Sequence, residues 1–428
     1  MVGALILGQW GVPWAQQTQP VEKPGDKVHY RAPPVDVRYD DGFRLETDDG
    51  AYSLSINGRV QTDTRFFSYS ETSPYTRDRT TDLLDINRAR LEIRGTVDEM
   101  FEAKVSAEFT GQPALRDAYI NLAFSDWAEL KIGQFQYPFG SENFGSSKYR
   151  EFMEKAAISS ATSAGRDRGF NLHGMPLDGI VFYQFGILAG AGVNTSDNND
   201  SLDFAGRLAI NPTRNVSDFF QLWLGGSMNF GQQRSVADET ITVETETGGG
   251  ATLFEAALPE DVDYDRTRFG LEWTFLLGPA MFQGELLSAR YSFDDAASLT
   301  GGFVTASIFL TGEQRTVKRG VNSQQEVEYP LGNGEIGAWE LAMRYSWFSV
   351  SENFFAPNQL IDGWTGVSAN DYVDNGSAWT LGLNWYPNRM TRMMANWVIS
   401  LAPDINDPTS EDRIVVEQAF LLRLQLEF

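Results

Sequence analysis

The chain has 428 residues, a formal net charge of −24, a sequence pI near 4.5 and a mean hydropathy of −0.31. It has no cysteine and only two histidines, His29 and His173, which removes disulfides, thiol-ligated metal sites and multi-histidine chemistry. The acidic balance, with no basic block, speaks against nucleic acid, and beyond the first residues no run of about 18 apolar residues predicts a spanning helix.

Residues 1–17, "MVGALILGQWGVPWAQQ", read as part of a secretory signal, because Met1 to Val12 is mostly apolar and Ala15 offers a small residue for cleavage. Residues 18–48 carry Pro20, Pro24, Pro33 and Pro34 and read as a flexible leader. Residues 49–428 are expected to form one domain, since a single period runs through them.

That period is two, the period of a strand. Leu83 to Val97 places Ala89, Leu91, Ile93 and Val97 on one face and Arg88, Arg90, Glu92, Arg94 and Thr96 on the other. Phe101 to Phe109 sets Phe101, Ala103, Val105, Ala107 and Phe109 against Glu102, Lys104, Ser106 and Glu108. Arg116 to Phe124 sets Ala118, Ile120, Leu122 and Phe124 against Asp117, Tyr119 and Asn121. Further along, Trp339, Leu341, Met343, Tyr345 and Trp347 share a face, as do Trp379, Leu381, Leu383 and Trp385. The last strand alternates Phe420, Leu422, Leu424, Leu426 and Phe428 with Leu421, Arg423, Gln425 and Glu427.

A soluble sandwich and a membrane barrel both produce such alternation. Length separates them, because soluble strands average about five or six residues and spanning strands need about nine to eleven. Most runs here are of the longer kind. Trp339 and Trp347 lie eight residues apart on one face, roughly 26 Å along a strand and roughly 20 Å in height at a tilt of about 40°, close to the spacing of two aromatic girdles. The expected fold is all-β, a transmembrane antiparallel β-barrel of about sixteen strands.

Several stretches resemble the phosphate-selective porin O and P family of Gram-negative outer membranes: "INRARLEIRG" (Ile86 to Gly95), "LRDAYINL" (Leu115 to Leu122), "LKIGQFQYPFGSENFGSSKYREFMEKA" (Leu130 to Ala156), "GRDRG", "LTGEQR", "GAWELAMRYS", "TLGLNWYPN" and the terminal "LRLQLEF". They occur in order and cover almost the whole barrel. The resemblance implies a homotrimer of sixteen-stranded barrels in the cell outer membrane, each with a pore narrowed by a long third extracellular loop folded into the lumen. Here that loop would be roughly Gln136 to Ala164. It is far longer than a hairpin needs, which by itself marks a functional segment. The resemblance also makes Phe428 the address read by the barrel-assembly machinery.

Carried over, the family's anion contacts fall on the wall at Arg59, Arg88 and Asp117 and on the loop at Ser146, Ser147 and Lys148. Two positions depart from the family: its paired arginines become Asn87-Arg88, and the loop lysine ahead of the serine pair becomes Asn143. Arg59, Arg88, Arg90 and Arg94 lie on the polar faces of their strands, which suits an anion-selecting lining, or simple neutralisation of Glu92, Glu102, Glu108 or Asp117 across strands. Asp117 is expected to orient Arg88 or Lys148, and His173 to be a plain wall residue. Val236 to Asp265 holds nine acids and no Lys or Arg. It reads as a solvated fifth extracellular loop without calcium-loop spacing. Glu313 to Asn333 is long where a short periplasmic turn belongs, and the sequence offers no reason for it.

The function expected is a passive outer-membrane porin for small hydrophilic solutes with mild anion preference. A phosphate or polyphosphate channel is the sharper alternative, and a closed structural or adhesive barrel is the rival of another class. No enzyme, cofactor or metal site is expected, since a nucleophile needs a base in reach and His173 is the one histidine of the barrel region. Lipid and small solutes, anions among them, are the expected partners.

Overall fold

The computed structural model describes residues 34–39, 42–69, 83–163, 165–195, 200–217, 219–236, 240–244, 252–332, 334–356, 358, 360–362, 364–368, 372–403 and 414–428. Strands β1 (Val35–Tyr39) and β2 (Phe43–Thr47) come first. The first half of the wall is β3 (Tyr52–Tyr69), β4 (Leu83–Val97), β5 (Phe101–Glu108), β6 (Ala114–Ser125), β7 (Ala128–Gln136), β8 (Arg166–Gly174), β9 (Val181–Leu188) and β10 (Asp203–Ile210). After β11 (Phe220–Arg234) a separate hairpin forms from β12 (Thr240–Glu244) and β13 (Thr252–Ala257). The wall resumes with β14 (Asp263–Leu277), β15 (Ala280–Ser292) and β16 (Ala296–Phe309), and a second small hairpin joins β17 (Val317–Lys318) to β18 (Val321–Asn322). The wall then ends with β19 (Ala338–Val350), β20 (Asn375–Asn388), β21 (Thr391–Pro403) and β22 (Ile414–Glu427).

Among the described residues the wall is a closed antiparallel barrel of 16 strands, because β22 pairs back onto β3 from Glu417↔Tyr69 to Glu427↔Arg59. Closure removes both sheet edges, the condition for a strand structure in lipid. The alternation sorts the side chains as the sequence requires. Leu424 is 50% exposed on the outer face while its neighbours Arg423 and Gln425 are buried in the lumen. Trp339 stacks on Trp385 at 5.5 Å near the periplasmic end, and Tyr345 contacts Trp379 at 4.8 Å higher up the same face. The terminal Phe428 bonds by its backbone to Gly58 and lays its ring across it, so a Cβ at Gly58 would meet that ring at 2.3 Å.

Leu424 sits midway between Phe420 and Phe428, so Leu424→Arg should destabilise the barrel by roughly 2–4 kcal/mol, the cost of a cation near the bilayer midplane. Denaturant titration of refolding into lipid vesicles reads this directly. Unchanged stability would mean that the outer face is misassigned.

Residues 1–33, which include the expected signal, lie outside the described residues. Residues 35–47 correct the reading of a flexible leader: β1 and β2 pair as a hairpin, and β2 pairs with β3 through Phe43↔Ile56 to Glu46↔Ser53. "VDVRY" and "FRLET" alternate with period two and flank Asp41-Gly42, a hairpin signal that the nearby prolines outweighed.

Three extracellular loops fold inward. The loop after β7 carries two short helices, α1 (Ser141–Phe144) and α2 (Ala157–Ala161). Ile158 of α2 packs in one buried apolar cluster with Ile241, Leu253 and Phe254 of the β12–β13 hairpin and with Phe354, Leu360 and Val373 of the loop after β19. This corrects the reading of the acidic segment as only a solvated exterior. Its apolar face roofs part of the lumen, and Glu260, Asp261 and Asp263 stay exposed on the rim.

Candidate functional site

The loop after β7 is held across the lumen by charges that the barrel seam brings together. Arg423 donates two 2.7 Å bonds to Asp63 and a third, at 3.0 Å, to the Met153 carbonyl. Arg344 donates to Glu142 at 2.9 Å and to the Glu154 carbonyl at 3.1 Å. Glu285 of β15 accepts the backbone N–H groups of Ser141 at 2.7 Å and Glu142 at 3.3 Å. Charge-assisted bonds of this kind fix geometry as well as adding energy.

The loop walls off a cavity of about 400 Å³ against β3–β8, lined by twelve cationic side chains and only two acids, Glu92 and Asp117. Five of these cations, Arg90, Arg94, Lys104, Lys148 and Arg166, are paired with acids. Arg90 forms a two-pronged bond to Glu108 at 2.9 and 3.1 Å. Arg166 holds Asp117 at 2.7 Å, Lys104 stands 2.8 Å from Glu92, and Lys148 meets Glu427 at 3.0 Å. Arg88, Arg116 and Arg150 differ. Among the described residues they make no hydrogen bond or salt bridge, and buried guanidinium nitrogens of each lack a protein partner. Proteins pair nearly all buried polar groups, so these three guanidiniums around one cavity leave donors for channel water or a passing solute.

All eight residues expected from the sequence line this cavity, Asp117 and Asn143 included. Their roles divide. Arg88 is unpaired as an anion contact requires, and Arg59, 3% exposed, donates only a long 3.5 Å bond to Ser146. Arg90 and Lys148 are neutralised by Glu108 and Glu427, so cross-strand and loop-to-wall pairing claims them first. Asp117 orients Arg166 and Lys104 rather than Arg88 or Lys148, because β8 and β5 bring those cations nearer. Ser146 accepts the Lys148 backbone N–H at 3.3 Å, and Ser147 lines the cavity. His173 is buried in the wall, 3.0 Å from Asn121.

Arg116, Arg150, Lys155 and Arg319 escaped the sequence reading. Lys155 occupies the place of the missing loop lysine: its ammonium donates 2.6 Å to Asn143, so Asn143 positions a cation instead of being one. Burial, and then repulsion from Arg150, pushes that ammonium down to about 8. It carries its charge at pH 7 and loses it as pH rises through about 8. Anion preference should therefore weaken between pH 7 and 9. A Lys155→Arg channel should keep its preference over that range, because arginine stays charged. Reversal potentials at the two pH values check this, and identical titration of both proteins would remove Lys155 from the ion path.

Arg319 lies at the left-handed tip of the β17–β18 hairpin, with φ 57°. Arg207 donates to its carbonyl at 3.0 Å, fixing the tip inside the barrel. Arg319 lines both the cationic cavity and a second cavity of about 690 Å³ bordered by Asp126, Glu129, Asp178 and Arg214 near the periplasmic turns. The long segment after β16 thus folds up into the lumen and borders the exit from the constriction.

The chain matches the family described as phosphate-selective porin O and P over residues 54–428. Porin O of Pseudomonas aeruginosa is 24% identical over 423 residues, covering 90% of this chain and 91% of that protein. The fold resembles OmpT of Vibrio cholerae in its trimer form, with a TM-score of 0.54 at 11% identity, covering 88% of this chain and all of that one. It also resembles an anion-selective porin from Comamonas acidovorans, with a TM-score of 0.51 at 14% identity and 88% of this chain covered. With the closed barrel, the inward loop and this match along the wall, the chain belongs to the phosphate-selective porin O and P family and is an outer-membrane porin.

Proposed function

We propose that this porin conducts small hydrophilic anions and holds oxyanions such as phosphate briefly at Arg88, Arg150 and Lys155. One observation carries the reading: cavity-lining guanidiniums that no wall carboxylate neutralises. A passing oxyanion that sheds part of its water would gain charge-assisted bonds from them, and neighbouring cations at Arg59 and Arg116 offer adjacent positions to which it can move on. The acidic rim favours modest rather than steep anion capture from outside. The working unit is a homotrimer, in keeping with the trimer form of the Vibrio cholerae relative. The assembly machinery reads the terminal strand through Phe428, whose side chain stands on the outer face.

Planar-bilayer recordings in a KCl gradient test the reading. The expected reversal potential has the anion sign, and millimolar phosphate should reduce the chloride current. A cation-signed potential overturns the anion reading. Undiminished chloride current in phosphate removes the oxyanion site and leaves a general anion pore.

A further inference from the structure

The last strand does more than close the barrel. Arg423, Gln425 and Glu427 of β22 are buried on its lumen face, and each reaches the constriction loop. Arg423 donates to the Met153 carbonyl at 3.0 Å, Gln425 donates to the Lys148 carbonyl at 3.2 Å, and the Glu427 carboxylate meets the Lys148 ammonium at 3.0 Å. Gln425 also donates to Glu427 at 2.8 Å, which holds that carboxylate in place. Arg392 adds a 3.4 Å bond to the same Lys148 carbonyl. The loop backbone at Lys148 is therefore anchored twice without Glu427, and the Glu427 charge acts on side chains.

The strand register decides which ones. Glu427 pairs across the seam with Arg59, Arg59 with Arg90, and Arg90 with Glu108. Residues paired in this way share a face of the sheet. The lumen wall thus carries one row of charges over four strands, Glu427, Arg59, Arg90 and Glu108, with an acid at each end and two arginines between. One half of the row is closed, because Arg90 donates to Glu108 at 2.9 and 3.1 Å. In the other half Glu427 turns to Lys148. Arg59 keeps a long 3.5 Å bond to Ser146, and its Nε has no hydrogen-bond partner among the described residues. One carboxylate therefore stands against two of the cations that line the constriction. Glu427 itself lies behind them: it borders a small cavity of about 20 Å³ beneath the loop, and Lys148 lines both that cavity and the constriction.

A fixed carboxylate in this place occupies Lys148 by the same charge-assisted contact that a passing oxyanion would make, and it offsets the charge of Arg59 across the seam. The geometry points to Glu427 as a specificity-determining residue, a built-in carboxylate that competes with passing oxyanions for Lys148 and Arg59. It keeps the anion preference mild and lets a bound oxyanion leave, as conduction requires. This role rests on the anion reading above for the identity of the ion.

Glu427→Gln tests it in planar bilayers, since glutamine keeps the size of the side chain and an oxygen for Gln425. One unit charge about 7 Å away, acting through an effective dielectric of about 40, changes ion occupancy several-fold. The KCl reversal potential should therefore move further in the anion direction, and the phosphate concentration that halves the chloride current should fall several-fold. Glu427→Asp draws the carboxylate back by one methylene and should move both readouts the same way by less, so either variant alone decides the direction. Lys148→Met leaves Glu427 without its cation and should shift the potential toward cations, and adding Glu427→Gln to it should bring the potential back toward that of the parent. Unchanged potential and phosphate block in the Glu427 variants overturn the inference, because the carboxylate is then not felt in the ion path. A shift toward cations with noisier traces overturns it as well, and makes Glu427 only a strut of the loop. A parent channel with a cation-signed potential overturns the anion reading, whereas an anion-signed parent that Glu427→Gln does not shift overturns the role of Glu427 alone.

Discussion

Replacing Arg88 and Arg150 together by glutamate should turn an anion-preferring channel into a cation-preferring one, seen as a change of sign in the reversal potential across a KCl gradient. Both side chains line the constriction, and among the described residues neither forms a salt bridge with a carboxylate. Each replacement changes the local charge by two. One unit charge acting at about 6 Å through an effective dielectric of about 40 contributes about 1.4 kcal/mol, or about tenfold in ion occupancy. Four charge units exceed any mild preference set by the remaining cations, even after screening by the salt used.

The same logic predicts which arginine is the wrong one to change. Arg90→Glu would face Glu108, its partner at 2.9 Å, with a second carboxylate in a half-buried site, so its first effect should be on assembly. Arg88 and Arg150 leave no orphaned acid behind, and their replacement should preserve folding because lumen positions tune selectivity more than stability. If the double variant folds and keeps the anion sign, the unpaired guanidiniums do not face the ion path.

The walls of this site were legible in the sequence and its contents were not. Period-two alternation places Arg59, Arg88 and Arg90 in the lumen because a strand has only two faces, and lipid claims one of them. Pairing across the wall follows register, which the alternation constrains strongly. Arg90 with Glu108 is such a pair, and its neutralisation was foreseeable. The loop obeys no period. Lys148, Arg150 and Lys155 lie within eight residues beside Glu142, Glu151 and Glu154, and nothing local says which cation is spent and which is free. That is settled by residues far along the chain: Glu427 claims Lys148, and Arg344 and Arg423 approach Glu142 and Glu154. Family resemblance directed attention to the serine pair and its lysine, yet the cation that fills the departure at Asn143 is Lys155, twelve residues on. Asp117 shows the same limit, since Arg166 reaches it only once β6, β7 and β8 are side by side.

Arg315→Gln is expected to have the largest effect on stability, and it would give the long periplasmic segment the physical role that the sequence did not reveal. Arg315 leaves that segment to enter the wall, where it forms an ion pair with Glu340, stands 3.7 Å from Glu151 and stacks 5.0 Å from the Phe309 ring. Glu151 belongs to the constriction loop and also accepts Asn322 of the segment at 2.6 Å and Gln283 of the wall at 2.9 Å. The loop therefore stands on the segment from below, as it hangs from Arg423 and Arg344 above. Arg315, Glu151 and Glu340 are all fully buried, so removing the arginine leaves the two carboxylates with only Arg392, 4.0 Å from Glu340, as a nearby cation. Breaking a buried pair in this way costs about 3–5 kcal/mol. The unfolding midpoint in denaturant should fall accordingly, and single-channel traces should become noisy as the loop loses its support. Adding Glu340→Gln removes one of the orphaned charges and should recover much of the stability. Recovery of stability with the noise still present would separate the two roles of Arg315, since the neutral pair restores the fold while Glu151 still lacks its cation. A quiet, fully stable Arg315→Gln channel would instead show that the segment carries no load from the loop.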